Sequence, residues 1–273
     1  MIDVYKMTSL QINICGGLGN QLFMIANMLS ISKSQDIPYI LPKTYKGTKE
    51  RPSYWETVFH KLKGIESSIV PSQTIKEGGD NIIINIPKIE THVLLEGYFQ
   101  SSTYFSDIDF LDVFALPHSE QMIVDHKMND IRDRNPGKKI NFIHVRRGDY
   151  VALQYFHIVL SVDYYKRAIT HFDKDDVFLI FSDDIDWCKK NFDFIENKEF
   201  IEPVDSVDYI ELFLMSKCDG AIVANSSFSW WGAYLMNPNN KYHKKIVCPE
   251  YWFTDYFSQR EKRNEPYWIE EKI

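Results

Sequence analysis

The sequence predicts an α/β protein whose strands run parallel. Three observations carry that reading. From Ile140 onward, short apolar runs alternate with segments of helical spacing, the pattern of βαβ units. Near the start, the β-rich run Leu10–Cys15 is followed by Gly16-Gly-Leu-Gly19 and then by apolar residues at Leu22, Ile25, Ala26 and Leu29, which reads as strand, glycine turn, helix. The unusual polar clusters, Gly16–Gln21, His144–Asp149, Ser182–Asp184 and Asn225–Ser229, each fall where a predicted strand ends. Ligands of open parallel sheets bind beyond the carboxyl ends of the strands, so these clusters are candidates for one shared site.

Taken in order, Ile37–Leu41 is a second strand, punctuated by Pro38 and Pro42. Residues 43–90 are polar and Lys-rich, are broken at Gly78-Gly79, and read as loops with short elements. Val93–Leu95 is a short strand leading into Glu96-Gly-Tyr-Phe-Gln100. After Pro117 a helix extends through about Ile131. The stretch Arg132-Asp-Arg-Asn-Pro-Gly-Lys-Lys139 is the most charged and turn-rich break in the chain, and the domain boundary is placed there, giving domains 1–136 and 137–273. Beyond it the pattern predicts strands at 140–146, 177–181, 199–201, 220–224 and 245–248, separated by helices near 162–172, 184–192, 206–217 and 228–236. No internal repeat is present, which argues against a solenoid.

Composition bounds the function. With 273 residues, 44% of them hydrophobic, the chain has material for one large core or two modest ones. Its net charge of −7 disfavours a nucleic-acid-binding face, so an anionic ligand must meet a local basic pocket. Four cysteines, Cys15, Cys188, Cys218 and Cys248, form no C-x-x-C pair and read as free thiols of a reducing compartment. The opening Met1–Thr8 has no apolar leader core, and no run approaches the ~18 to 20 apolar residues of a membrane span. The expectation is a cytoplasmic protein without stable membrane insertion.

Each cluster has a ligand-binding reading and a structural one. Side chains alternate along a strand, so His144 and Arg146 point one way while Val145 and Arg147 point the other. The two arginines therefore need not share a task. An arginine fork at a strand end binds a diphosphate bidentately and keeps its charge whatever its burial; the structural alternative is pairing with a carboxylate such as Asp149. The pattern favours a ligand for Arg146 and leaves Arg147 open between the two. Gly16-Gly-Leu-Gly-Asn-Gln21 lets backbone approach a ligand, with Asn20 as helix cap, yet it serves equally as a tight turn, being neither G-x-G-x-x-G nor a Walker loop.

Asn225-Ser-Ser-Phe-Ser-Trp-Trp-Gly232 follows an apolar strand and opens a helix. Its hydroxyls and free amides form a phosphate nest, or a plain cap with Trp230 and Trp231 in the core. In Ser182-Asp-Asp184 a carboxylate can receive the N1–H and amino group of a guanine, or cap a helix, and one of the two aspartates is read as a cap. The D-x-D tripeptides Asp107-Ile-Asp109 and Asp184-Ile-Asp186 read as structural, so no metal ligands are assigned.

With these blocks in order, the chain is similar to glycosyltransferase family 11, the α-1,2-fucosyltransferases. The segments that carry the resemblance are Gly16–Phe23, Glu96–Gln100 with Tyr104-Phe105, His144–Tyr150, Phe181–Cys188 and Asn225–Leu235. The resemblance implies a GT-B-like fold, two Rossmann-like domains facing a cleft, with the acceptor side in the N-terminal domain and GDP-fucose held by the C-terminal one. It implies inverting transfer of L-fucose from GDP-β-L-fucose to the 2-hydroxyl of a terminal galactose on a glycan acceptor, without a metal or other cofactor. Arg146 is then expected to neutralise the departing diphosphate, with Ser226, Ser227 and the Phe228 amide assisting. The remaining nucleotide contacts expected are His144, Arg147, Asp183, Asn225, Gly17 and Gly19; Asn20 would lie near the reacting carbon or acceptor hydroxyl, and Asp149 is the candidate base. The competing readings are a fucosyltransferase of another linkage and a non-catalytic sugar- or nucleotide-binding module.

Overall fold

Parallel sheets organise both halves of the chain. The computed structural model describes residues 8–43, 47, 52–65, 70–78, 84–105, 108–203, 207–238, 241–254 and 263–273. Met1–Met7, Gly79, Asp107 and Ser206 of the sequence reading lie outside these. The chain divides into two compact units, Met1–Pro117 and His118–Ile273.

The first unit contains β1 (Ser9–Ile12), α1 (Leu18–Gln35), β2 (Tyr39–Pro42), β3 (Gly64–Ile65), β4 (Gln73–Lys76), β5 (His92–Glu96) and the short α2 (Phe110–Val113). Its sheet has the order β3-β2-β1-β5-β4 with every pairing parallel. β4 falls within residues 43–90. Three of its four residues are exposed at the sheet edge, so it lacks the apolar alternation by which a half-buried strand announces itself. β1 is buried at all four positions, and α1 is buried along most of its length, which seats the glycine turn between them firmly on the sheet.

The second unit contains α3 (His118–Arg134), β6 (Ile140–Val145), α4 (Gly148–Ala152), α5 (Val162–Ala168), β7 (Val177–Ser182), α6 (Ile185–Asn191), β8 (Lys198–Phe200), α7 (Asp208–Ser216), β9 (Gly220–Ile222), α8 (Ser227–Met236), β10 (Lys245–Pro249) and β11 (Ile269–Glu271). Its sheet is all parallel, in the order β11-β10-β9-β6-β7-β8. Numbered from β6, that is the 3-2-1-4-5-6 order of a Rossmann sheet, whose strand order reverses between β6 and β9. β6 and β7 are buried at every position because helices cover both faces, which is why they read as mainly apolar runs. Tyr164 and Tyr165 pack into this core, and their hydroxyls are satisfied by the carbonyls of Val223 (2.8 Å) and His144 (3.3 Å).

The boundary differs from the sequence reading of 136/137, because α3 belongs with the second unit. Its buried residues Val124, Met128 and Ile131 form a stripe, and the helix packs against α7. Arg132 donates to both carboxylate oxygens of Asp219 at 3.2 Å and to the Lys217 carbonyl, while Arg134 pairs with Glu199 at 2.9 Å. The charged stretch 132–139 is thus the tight turn from α3 into β6, not a linker.

Candidate functional site

In the second unit the carboxyl ends of β6 and β9, on either side of the point where strand order reverses, carry His144–Asp149 and Asn225–Ser229. A ligand of this sheet belongs there.

The doubled arginine splits its work, as alternation along β6 requires. Arg146 lies between two carboxylates, with Nη2 2.6 Å from Asp149 Oδ1 and Nη1 2.9 Å from Asp183 Oδ2, and its guanidinium is 5.3 Å from the Tyr150 ring centre. Burial works against its charge, but Asp183 and Asp149 outweigh that and hold its pKa above the ordinary arginine value. It remains a fixed cation with 31% of its side chain open to solvent, enough to meet an anion. Arg147 turns the other way, lies 4.0 Å from the Trp187 ring centre, and donates from Nε to Asp184 at 3.1 Å. Of the two roles left open for it, the geometry gives Arg147 the structural one.

Asp183 and Asp184 are both engaged. Asp184 Oδ1 caps α6 through the Trp187 amide at 3.3 Å while its other oxygen meets Arg147, so Asp184 is the capping aspartate. Asp183, expected on a guanine, accepts the Arg147 amide at 2.8 Å through one oxygen and Arg146 through the other. It positions the arginine before it meets any base. A Cβ on Gly148 would push against Asp183 Oδ2, so glycine as the first residue of α4 leaves Asp183 in place to meet Arg146.

His144 is 6% exposed, with its ring 5.7 Å from that of Phe228. Burial, assisted by Arg146, pushes its pKa down to about 3, so it is neutral near neutral pH. Its Nδ1 is buried without a hydrogen-bond partner among the described residues, which marks it as able to serve a ligand.

The Asn225 block also divides. Asn225, 1% exposed, spends its amide on the carbonyls of Ile158 (2.9 Å) and Trp252 (2.7 Å), and its own carbonyl accepts the Tyr150 hydroxyl at 3.0 Å. It ties three segments together beside Arg146. Ser226 is the N-cap residue of α8, in extended conformation, and its side chain makes no capping bond. That leaves its hydroxyl outside the usual capping role at a helix end that favours negative charge. Ser227 and Phe228 occupy the first turn of α8, and Ser229 Oγ turns back to the carbonyls of Ala224 and Ser226. Trp230 and Trp231 are fully buried.

An aromatic wall borders these residues, one that the sequence reading did not assign to the nucleotide side. Tyr150 stacks flat on His157, rings 3.9 Å apart and 3° from parallel, and His157 bridges to Phe253. Burial pushes the Tyr150 hydroxyl up to about 12 and His157 down to about 4. Arg263, 6% exposed, lies with its guanidinium 4.9 Å from the Phe253 ring centre. The partners are far apart in sequence, and only the placement of tyrosine directly after the arginine block hints at the wall.

In the first unit Gly17, Gly19 and Asn20 sit at the carboxyl end of β1. The N-cap of α1 is Gly17, and Asn20 lies inside the first turn, donating its backbone N–H to the Gly17 carbonyl; the expectation of Asn20 as cap is corrected. With its side chain released from capping, Asn20 Oδ1 accepts from Gln100 Nε2 at 2.6 Å. Gly16, at φ +78°, makes the turn that glycine alone adopts without strain. Gln21 secures it through the Gly16 carbonyl at 2.8 Å.

In the D-x-D tripeptides the described aspartates have structural partners. Asp109 caps α2 and Asp184 caps α6, while Asp186 is exposed beside Lys189, and Asp107 lies outside the described residues.

Residues 74–272, most of the chain, match the sequence profile of Glycosyl transferase family 11. The chain belongs to that family. It is 30% identical to an alpha-1,2-colitosyltransferase of Escherichia coli over 274 residues, covering 88% of this chain and 91% of that protein. It is 39% identical to the O-antigen biosynthesis glycosyltransferase WbnK of Escherichia coli over 118 residues, which span 41% of this chain and only 38% of WbnK. Among solved structures it resembles NodZ, an alpha-1,6-fucosyltransferase soaked with GDP-fucose, at TM-score 0.54 and 12% identity over 86% of this chain and 97% of NodZ. It also resembles POFUT1 in complex with GDP, at TM-score 0.53 and 12% identity over 89% and 98% of the two chains. At that identity the likeness establishes the fold, which is α/β and GT-B-like, built from Rossmann-like units. No helix among the described residues is long and apolar enough to cross a membrane.

Proposed function

We propose that this family 11 member is a galactoside α-1,2-fucosyltransferase that moves L-fucose from GDP-β-L-fucose to the 2-hydroxyl of a terminal galactose, inverting the anomeric centre. The observation that carries the reading is Arg146, a permanent cation clamped by Asp149 and Asp183 at the switch point of the Rossmann sheet, with Ser226, whose hydroxyl makes no capping bond, at the start of α8 after the neighbouring strand β9.

Breaking the glycosidic bond to the nucleotide places negative charge on the leaving diphosphate as positive charge grows on the sugar. Arg146 stabilises that diphosphate, and the opening of α8 with Ser226, Ser227 and the Phe228 amide adds donors already in place. Fixed cation and fixed dipoles supply what a metal would otherwise supply, which is why the reading is metal-independent. His144, neutral, hydrogen-bonds the donor through Nδ1. Asp149 already accepts from Arg146, which suits it to hold the arginine more than to remove a proton; with strong oxocarbenium character in transfer, the acceptor hydroxyl needs only a weak base. Asn20 and the glycine turn serve the acceptor side. Cytoplasmic action on a surface-polysaccharide precursor accompanies the reading.

A second reading has its own observation: the relative matched along 91% of its length is named a colitosyltransferase. Colitose is L-fucose without the 3-hydroxyl, so a donor site built for one nearly fits the other. The deciding experiment presents GDP-fucose and GDP-colitose in parallel to galactose-terminated acceptors, with linkage analysis of the product. Preference for GDP-fucose with an α-1,2 product supports the first reading, and preference for GDP-colitose establishes the second. Turnover of neither on any galactoside overturns both.

A further inference from the structure

We propose that the loop Gly97–Gln100 of the first unit is the platform for the acceptor hexose, with the Tyr98 ring as the surface on which the apolar face of a galactopyranose stacks. The inference rests on the reading that a galactose-terminated glycan is the acceptor.

Topology sets the place. In the order β3-β2-β1-β5-β4 the direction of strand succession reverses between β1 and β5, so the crevice of this sheet opens beyond the carboxyl ends of those two strands. The Gly16–Gln21 turn follows β1, and the Gly97–Gln100 loop follows β5.

The loop is held in a shape that it would not adopt by itself. Gly97 has φ +152°, and Phe99, not a glycine, has φ +52°. One carboxylate oxygen of Glu77, just past the end of β4, accepts the amides of both Tyr98 and Phe99 at 2.9 Å. A Cβ on Gly97 would collide with the Glu77 side chain, so the pair fits only as carboxylate and glycine. The Phe99 ring is fully buried, edge-on to Tyr104 at 5.2 Å. Anchoring Phe99 inward leaves Tyr98 40% exposed. Strained backbone that the surroundings over-determine is found where a fold must present a side chain, and here the side chain presented is an aromatic ring.

What surrounds the ring suits a sugar. A Cβ on Gly16 would lie 3.6 Å from Tyr98 Cε1 and 3.0 Å from Asn20 Nδ2, so the bare glycine, the ring edge and the amide border one small space. Gln100 Nε2 donates to Asn20 Oδ1 at 2.6 Å, which holds the two neutral amides together at the edge of this space. Galactose, with its axial 4-hydroxyl, shows the C–H groups of C3, C4 and C5 on one face and hydroxyls around the rim. An aromatic face with neutral amides at its edge complements that pattern. Glu77, which touches no substrate in this account, is a positioning residue.

The test compares the wild-type chain with Tyr98→Ala, Tyr98→Trp and Glu77→Ala, using lactose as acceptor. Tyr98→Ala is expected to raise the lactose KM on the order of ten-fold while donor KM and melting temperature stay in place. Tyr98→Trp is expected to keep the low KM, and Glu77→Ala to raise it in the same direction as Tyr98→Ala. Saturation-transfer NMR with lactose alone should show galactose H3–H5 closest to the wild-type protein and lose that signal in Tyr98→Ala. An unchanged lactose KM in Tyr98→Ala, with the wild type active, overturns the platform and leaves the proposed function standing. If the wild type transfers to no galactoside, the function falls, and the NMR arm still decides the platform: a Tyr98-dependent galactose signal upholds it, and no lactose signal in the wild type overturns it.

Discussion

The two sheet crevices of this protein are built from opposite chemistry. Beyond β6, β7 and β9 stand two arginines, three aspartates and a helix opening rich in hydroxyls; beyond β1 and β5 stand glycines, a neutral amide pair and a tyrosine. The first arrangement suits a ligand whose charge changes during reaction, and the second one whose shape and hydroxyl pattern must be recognised. Both keep their key side chains in place with carboxylates. Asp183 holds Arg146, and Glu77 holds the loop bearing Tyr98, so similar anchoring serves two unlike tasks.

Mutations in the charged crevice should break this contrast most. Arg146→Ala is expected to lower kcat by about a thousand-fold or more, with the circular-dichroism spectrum unchanged, since no flexible or neutral group replaces a fixed cation facing a leaving diphosphate. Gly148→Ala comes next, with an expected loss of about ten- to a hundred-fold in kcat/KM for the donor, because the added methyl displaces Asp183 and with it Arg146; steady-state kinetics reads it. Arg147→Lys should leave turnover nearly intact and cost about 1 kcal/mol of stability in urea denaturation, because lysine keeps the charge and loses the planar stack on Trp187.

A separate prediction concerns pH. His144 and His157 have folded-state pKa values of about 3 and about 4, depressed chiefly by burial from the ordinary 6.5. The unfolded chain therefore takes up protons that the folded one refuses. Stability is fully present above pH 6.5 and falls as pH drops toward 4, by up to about 1.4 kcal/mol per pH unit for each histidine. Denaturation midpoints at pH 7 and pH 5 measure the slope, and a His157→Asn variant should flatten it.

Much of the charged crevice was legible in the sequence. A strand buried on both faces is apolar over most of its length, so Ile140–Val145 could be read directly, and His144 and Arg146 share one side by simple alternation. The structural role of Asp109 and Asp184 was legible too, since aspartate before a helix is first of all a cap. What stayed hidden depends on partners distant in the chain. Asp183 reaches Arg146 across two adjacent strands, Asn225 bonds to Ile158 and Trp252, and Tyr150 stacks on a histidine presented by a separate loop. Edge strands escaped for another reason: β4 and β11 bury little, so their residues carry no periodic signal. Glu77 combined both difficulties, being a polar residue at the end of such an edge strand with its partners 21 and 22 residues away.

The central claim is that Arg146 carries the diphosphate of the nucleotide. Titration calorimetry of GDP against the wild-type chain and the Arg146→Ala variant tests it without requiring turnover or an acceptor. The variant is expected to bind GDP at least about a hundred-fold more weakly while remaining folded. Equal GDP affinity in the two proteins would contradict it.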